Sequence, residues 1–167
     1  ASDPDGLRAA WSALELAWDG ALQRAAAMPE GSVDINVDGE WSFAQTLRHL
    51  VLATDLWLGK SVIGLAEPFH PLGLTNAEAE EEGFDMSVFA TETPSYAEVL
   101  AARAGRVALV REFLATVSEA DLDVVRANPW APEHPETTRS CLHTILEEEW
   151  EHLRYALRDL DTIEAAE

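Results

Sequence analysis

The sequence predicts an all-α fold, a four-helix bundle with a long crossover connection between the second and third helices. Four long segments carry apolar residues at intervals of three and four, which is the period of an amphipathic helix. An irregular stretch rich in proline, glycine and acidic residues separates the second segment from the third. At 167 residues, the chain fits one domain, residues 1–167, and can bury a core without disulfides.

The first helix is predicted from Pro4 to Met28, where Pro29 and Gly31 end it. Its apolar positions follow helical spacing: Leu7, Trp11, Leu14, Trp18, Ala21 and Leu22. The next stretch, residues 32–40, alternates apolar and polar residues, so we expect an extended connector there.

The second helix is predicted to begin at Ser42, whose hydroxyl can cap the first turn while Gln45 completes a capping box. It continues to about Ile63. Apolar residues cover most of its circumference: Leu47, Leu50, Val51, Leu52, Leu56, Trp57 and Leu58. A helix that is apolar nearly all round lies at the centre of a bundle or in an interface.

The connection from Gly64 to Pro94 is long, and connections of this length are often functional or mobile. It carries an acidic run of four residues: Glu78, Glu80, Glu81 and Glu82. The simplest interpretation of this run is a solvated surface, and the alternative is that the loop covers a functional site.

Ser95 and Glu98 form a second capping-box pattern, which predicts the start of the third helix. This helix is predicted to end at about Val117. Residues 128–136 contain three prolines, so no helix is expected to pass through them. The fourth helix is predicted from Thr138 to Thr162, with one apolar stripe: Leu142, Ile145, Leu146, Leu153, Leu157 and Leu160.

Composition narrows the partner classes. The formal charge of −20, from 31 acidic and 11 basic residues, disfavours nucleic acid and anionic membrane surfaces. No apolar run approaches the roughly 20 residues of a membrane span. A single cysteine, Cys141, excludes an intrachain disulfide and indicates a reducing compartment, so we expect a cytoplasmic protein.

Glu148 and His152 stand four residues apart on the predicted fourth helix, so both project from one face. A carboxylate and an imidazole so placed can bind one divalent metal ion if a third ligand comes from elsewhere. His49, in the second helix, is the candidate for that ligand. Metal–ligand bonds near 2 Å require its imidazole within about 5 Å of the other two groups.

Other interpretations of these residues remain open. Many Glu/His pairs at this spacing are surface charge pairs, and a single histidine such as His49 is more often a hydrogen-bonded core residue. Cys141 is interpreted as a small packing residue, while His143 points away from His152. His70 and His134 lie beside prolines in loops, and we expect them to be exposed.

Three segments of the sequence carry a recognisable pattern. The first reads Thr-Leu-Arg-His-Leu-Val-Leu-Ala-Thr-Asp-Leu-Trp over residues 46–57. The second runs over residues 141–160 and contains the stretch Leu-Glu-Glu-Glu-Trp-Glu-His-Leu, and the third is the His-Pro-Leu-Gly-Leu of residues 70–74. Together these segments resemble the DinB-like superfamily, which includes mycothiol- and bacillithiol-dependent enzymes.

The resemblance implies a four-helix bundle, commonly dimeric, with a metal site built from one histidine of the second helix and two ligands on the last. His49, Glu148 and His152 match these positions. Zinc, nickel or another divalent ion is implied, and so is a low-molecular-weight thiol cosubstrate. Glu148 stands where many members have histidine, although the thiol-dependent isomerase branch also has glutamate there.

Two hypotheses follow. In the first, the protein is a metal-dependent enzyme that activates a thiol for transfer to, or isomerisation of, a small-molecule substrate. No general base or other catalytic residue is assigned. In the second, it is a non-catalytic dimeric helical binding module without bound metal.

Overall fold

The computed structural model describes residues 1–76 and 79–167. The all-α prediction is confirmed, and the first, third and fourth predicted helices keep their bounds to within a few residues, whereas the second is α-helical only to Thr54. Glu78, one member of the predicted acidic run, lies outside the described residues. The α-helices are α1 (Pro4–Ala26), α2 (Phe43–Thr54), α3 (Tyr96–Thr116), α4 (Glu119–Leu122) and α5 (Thr138–Ala165).

Both predicted capping boxes are present. At the start of α2, the Gln45 amide N–H donates to the Ser42 hydroxyl, and the Gln45 side chain accepts from the Ser42 N–H at 2.9 Å. Ser95 and Glu98 make the same reciprocal pair at the start of α3. These pairs satisfy backbone donors that would otherwise be left without partners at a helix start.

The second predicted helix changes from an α-helix to a π-helix part-way along its length. It is α-helical to Thr54 and continues as a π-helix over Asp55–Val62, whereas the sequence predicts one α-helix to Ile63. Nearly every residue of the π-helix is buried, so the apolar pattern has no exposed face that would reveal the change of period. A Cβ on Gly59 would lie 2.8 Å from the Pro68 side chain, so the following loop packs directly on this segment.

The predicted extended connector over residues 32–40 is wrong at its start, where Ser32–Asp34 forms a 3₁₀ turn. Ser32 explains the difference, since its N–H and hydroxyl both donate to the Pro29 carbonyl, at 3.1 and 2.7 Å. These local bonds favour a turn over an extended strand. Gly31 enters the turn with φ +86°, a conformation that glycine adopts without strain.

The proline-rich stretch is non-helical, as predicted. It is closed by an unpredicted antiparallel pair, β1 (Val125–Arg126) with β2 (Glu136–Thr137). The Thr138 N–H also donates to the Val124 carbonyl at 2.8 Å. Each strand has only two residues, which is too short for an alternating pattern to be detected.

The long helices pack pairwise, with α1 and α2 each lying against both α3 and α5. Helix α2 is central, because residues all around it are buried within the single chain, including Leu47, Leu50 and Leu52. Its apolar circumference is therefore explained without an interface. The core is built from leucine and tryptophan side chains such as Leu7, Trp11, Leu14, Trp18, Leu58, Leu122 and Leu160.

One buried ion pair sets the rotation of α5 about its axis. The Arg103 guanidinium on α3 donates to both carboxylate oxygens of Glu149, at 2.6 and 2.5 Å, and both side chains are almost fully buried. Arg103 also lies over the Trp18 ring, 5.3 Å from its centroid. With Glu149 turned towards α3, its neighbour Glu148 faces α2.

No helix within the described ranges combines the length and the apolar character that crossing a membrane demands.

Candidate metal centre

His49 lies in the middle of α2 with only 13% of its side chain exposed. Trp41, just before the helix, packs against it with ring centroids 4.6 Å apart. The His49 Nδ1 atom is buried and has no hydrogen-bond partner among the described residues. A buried polar atom without a partner costs about 1–3 kcal/mol.

His152 is held in a defined orientation on α5. Its Nδ1 lies 2.8 Å from the backbone oxygen of Glu148. Because a carbonyl oxygen only accepts, Nδ1 carries the proton and Nε2 is left free to bind a cation. The Trp41 ring stacks at 6.3 Å from the His152 ring, so one indole orients both imidazoles.

The Glu148 carboxylate lies close to both imidazoles. His49 Nε2 lies 3.3 Å from Glu148 Oε2, and the two imidazole centroids are 4.7 Å apart. One candidate ligand atom from each of the three residues lies within 4.8 Å of the others. The expected convergence within about 5 Å is therefore observed for all three side chains.

The contact between His49 and Glu148 is a long hydrogen bond, and its spacing also suits a shared cation. Typical N–H···O hydrogen bonds measure 2.7–3.2 Å, shorter than the 3.3 Å between His49 and Glu148. Two ligands of a tetrahedral ion with bonds near 2.1 Å stand about 3.4 Å apart. The His49–Glu148 spacing thus fits two ligands of one small divalent ion, and the imidazole of His152 lies beside them.

The charge state of the Glu148 carboxyl is also suited to binding a metal ion. The hydrogen bond from His49, followed by the charges of His152 and His49, lowers the pKa of the Glu148 carboxyl, although burial opposes this. Glu148 therefore remains a carboxylate at neutral pH, as a metal ligand must be.

Two cavities open beside the cluster. A wide one of about 390 Å³ is lined by Gly39, Glu40, Trp41, Thr46, His152 and Tyr155. A smaller one of about 160 Å³ is lined by His49 and Glu148 together with aliphatic residues of α2, two indoles and two loop residues, Asn76 and Glu82. The candidate site is thus reached from two sides, and the loop of residues 64–94 contributes one wall.

Several of these surrounding residues are missed by the sequence analysis. Tyr155 stands three residues after His152, so helical spacing alone could have placed it nearby. Trp41 adjoins the cap residue Ser42, which is a weak positional signal. Trp130 reaches the cavity only through loop conformation, for which the sequence carries no signal, whereas Glu82 belongs to the acidic run for which a cover over a site is the alternative interpretation.

The remaining candidates fall outside the cluster. Cys141 is fully buried, as predicted, and burial raises the pKa of its thiol to about 11. His143 contacts the Ala1 carbonyl at 2.6 Å, away from His152, and His134 is exposed. The expectation for His70 is wrong: it is half-buried, its Nδ1 accepts from the Leu72 N–H at 3.0 Å, and burial lowers its pKa.

Comparison with known proteins places the chain in a family. The model of the DinB superfamily matches residues 13–156, which include His49, Glu148 and His152. The chain belongs to the DinB superfamily. The resemblance inferred from the second and last helices is therefore confirmed. No significant match was found among curated proteins or among solved structures.

Proposed function

We propose that this DinB-superfamily protein is a metal-dependent enzyme that activates a low-molecular-weight thiol for transfer or isomerisation. His49, Glu148 and His152 would hold the metal ion. The observation that supports this most strongly is the convergence of ligand atoms from α2 and α5 within 4.8 Å.

The donor set indicates the kind of ion. Two imidazoles and one carboxylate are typical ligands for zinc, and nickel also accepts them. Three protein ligands leave a position open for a small molecule. When bound there, a divalent cation lowers the pKa of a coordinated thiol, so that the nucleophilic thiolate is present at neutral pH.

The chain itself supplies orientation and partial exclusion of water. The Glu148 carbonyl fixes the His152 tautomer, and Trp41 packs against both imidazoles, so little reorganisation is needed when a ligand binds. The largely buried histidines lie in a medium less polar than water, where their interaction with a cation is strengthened.

The substrate is proposed to be a small molecule rather than nucleic acid. The net charge of −20 repels phosphate backbones, and the cavities beside the cluster have the size of small molecules. A homodimer and a cytoplasmic location remain proposals, the first supported by the family's common assembly and the second by the single cysteine.

Metal analysis tests the site. Purified protein, incubated with zinc or nickel and then desalted, is expected to retain about one ion per chain by mass spectrometry, and His152→Ala is expected to lose it. His143→Ala, on the same helix but outside the cluster, serves as the matched control. Wild-type protein without stoichiometric metal would contradict the proposal and favour the non-catalytic module.

A thiol-consumption assay tests the reaction separately. The metal-loaded protein, with a panel of low-molecular-weight thiols and electrophiles, is expected to consume thiol faster than the His152→Ala variant does. A metal-bearing protein that consumes none of them would remove the reaction while leaving the metal site in place.

A further inference from the structure

The cavity of about 160 Å³ joins the candidate ligands to two loops. His49 and Glu148 line it from α2 and α5, and Asn76 and Glu82 line it from the long connection. Trp130 comes from the proline-rich stretch. A molecule in this cavity would therefore contact the metal cluster and the least regular parts of the chain at once.

The walls define the shape of an occupant. Trp57 and Trp130 provide two indoles, and Leu52 and Leu56 add aliphatic surface. Cavities of about 150 Å³ accommodate a molecule the size of benzene, and this cavity of about 160 Å³ adds polar groups to its aromatic and aliphatic walls. The occupant is therefore a flat group about as large as one six-membered ring.

The polar residues define its charge. Glu82 and Glu148 offer carboxylates and Asn76 an amide oxygen, all of which accept hydrogen bonds. Indole faces attract cations as well. A carboxylate in the cavity would meet Glu82 in addition to the negative field of the whole chain, whereas an ammonium or hydroxyl group would find acceptors.

The beginning of the long connection is fastened to the helices. The Arg48 guanidinium donates to the Leu72 carbonyl at 2.9 Å, and the His70 N–H donates to the buried Asp55 carboxylate at 2.9 Å. Asp55 is paired in turn with Arg106 on α3, at 2.6 Å. These bonds hold the loop close to the π-helix, whose Trp57 forms one wall.

An aromatic cluster ties the two loops to each other. Phe84, two residues after Glu82, packs on Trp130 with ring centroids 5.1 Å apart. Phe69 and Phe89 pack on Phe84 at 5.4 and 6.3 Å. The backbone beside Glu82 is thus held by packing, while the Glu82 side chain itself is exposed at the cavity wall.

We propose that this cavity is a specificity subsite for a ring-sized group bearing an amine or hydroxyl, and that Glu82 selects such groups over carboxylates. The proposal rests on the proposed function, because it assigns this subsite to the small molecule that reacts at the adjacent cluster. Glu82 is a specificity-determining residue here and has no part in a chemical step.

The test uses the full chain freed of metal by chelation, so that its outcome does not depend on metal binding or turnover. Benzylamine, benzyl alcohol and benzoate share one ring and differ in charge. Calorimetric titration at pH 7 is expected to show benzylamine binding at least about tenfold more tightly than benzoate, with benzyl alcohol between them.

Three variants test which residue is responsible for the preference for benzylamine over benzoate. Glu82→Gln is expected to reduce the ratio of benzylamine to benzoate affinity by about fivefold or more while leaving benzyl alcohol unchanged. Glu81→Gln, one residue away and outside the described lining of the cavity, should keep the wild-type ratio. Trp130→Leu should weaken all three probes, and benzylamine most, because the indole face also attracts a cation.

Three results would overturn the proposal. The first is equal affinity for benzylamine and benzoate, and the second is a ratio that Glu82→Gln leaves unchanged, which would assign the selection to Glu148. The third is a failure of all three probes to bind. Each of these would leave the metal measurements intact, so the two proposals fail separately.

Discussion

His49 Nε2 lies 3.3 Å from Glu148 Oε2, although 99 positions separate the two residues in the chain. The contact exists because α2 and α5 pack against each other and the Arg103–Glu149 pair sets the rotation of α5. The same rotation turns His152 towards His49, so a single packing arrangement assembles all three candidate ligands.

Replacing His49 with alanine removes one candidate ligand from the cluster. We expect zinc affinity to fall by about 100-fold or more, since losing only an outer hydrogen-bond partner of a ligand costs about 10–100-fold. Competition with a chromophoric chelator measures the change. His134→Ala, at an exposed loop position, should match wild type, and an unaltered affinity in His49→Ala would exclude this histidine as a ligand.

Glu148 should make the stability of the metal-free protein depend on pH. Its folded-state pKa is lowered, chiefly by the His49 hydrogen bond. Its contribution is therefore fully present above the ordinary glutamate pKa of about 4.3 and is lost as the pH falls through the lower folded-state value. Denaturant unfolding of wild type and Glu148→Gln should differ most near neutral pH and converge in acid. A difference that grows in acid would contradict this sign.

The Arg103–Glu149 pair should show the asymmetry of buried ion pairs. Arg103→Met leaves the Glu149 charge buried without its partner, and we expect a loss of about 3–5 kcal/mol in the free energy of unfolding. Adding Glu149→Leu should recover much of that loss, because no buried charge then remains unpaired. Urea unfolding of both single variants and the double variant gives the coupling free energy between Arg103 and Glu149. Additive losses would show that the two side chains act independently.

Cys141 should be unreactive in the folded protein. Its thiol is fully buried, and burial raises its pKa to about 11, so the thiolate is scarce at neutral pH. We expect iodoacetamide to label it only after denaturation, as followed by intact mass. Rapid labelling of the native protein would mean that this part of α5 opens readily.

Gly59→Ala tests the close approach of the long connection to the π-helix. The added methyl group would lie 2.8 Å from the Pro68 side chain, and overpacking of this kind costs about 1–3 kcal/mol. Gly20→Ala on α1 is the control, since no described atom lies within 4 Å of its added carbon. The control should stabilise the protein by roughly 0.5–1 kcal/mol through helix propensity. Thermal melting distinguishes the two, and a stabilised Gly59→Ala would show that the loop can move aside.

The sequence alone determined the helical class, the four long helices and both capping boxes, because these depend on local spacing and on side chains close to a helix start. It also determined that Glu148 and His152 share a face, which follows from the period of the helix. The resemblance to the family was readable for the same reason, since most of the residues that carry it lie within two helices, and the family match over residues 13–156 confirms it.

Only the tertiary structure decided the rest. The approach of His49 to Glu148 depends on how α2 and α5 pack, which no local pattern encodes. The change to a π-helix at Asp55 is invisible in a segment buried all round, and the 3₁₀ turn at Ser32 depends on hydrogen bonds to one carbonyl. Glu82 and Trp130 reach the cavity because aromatic packing and bonds to α2 shape their loops, and such contacts arise between segments far apart in the chain.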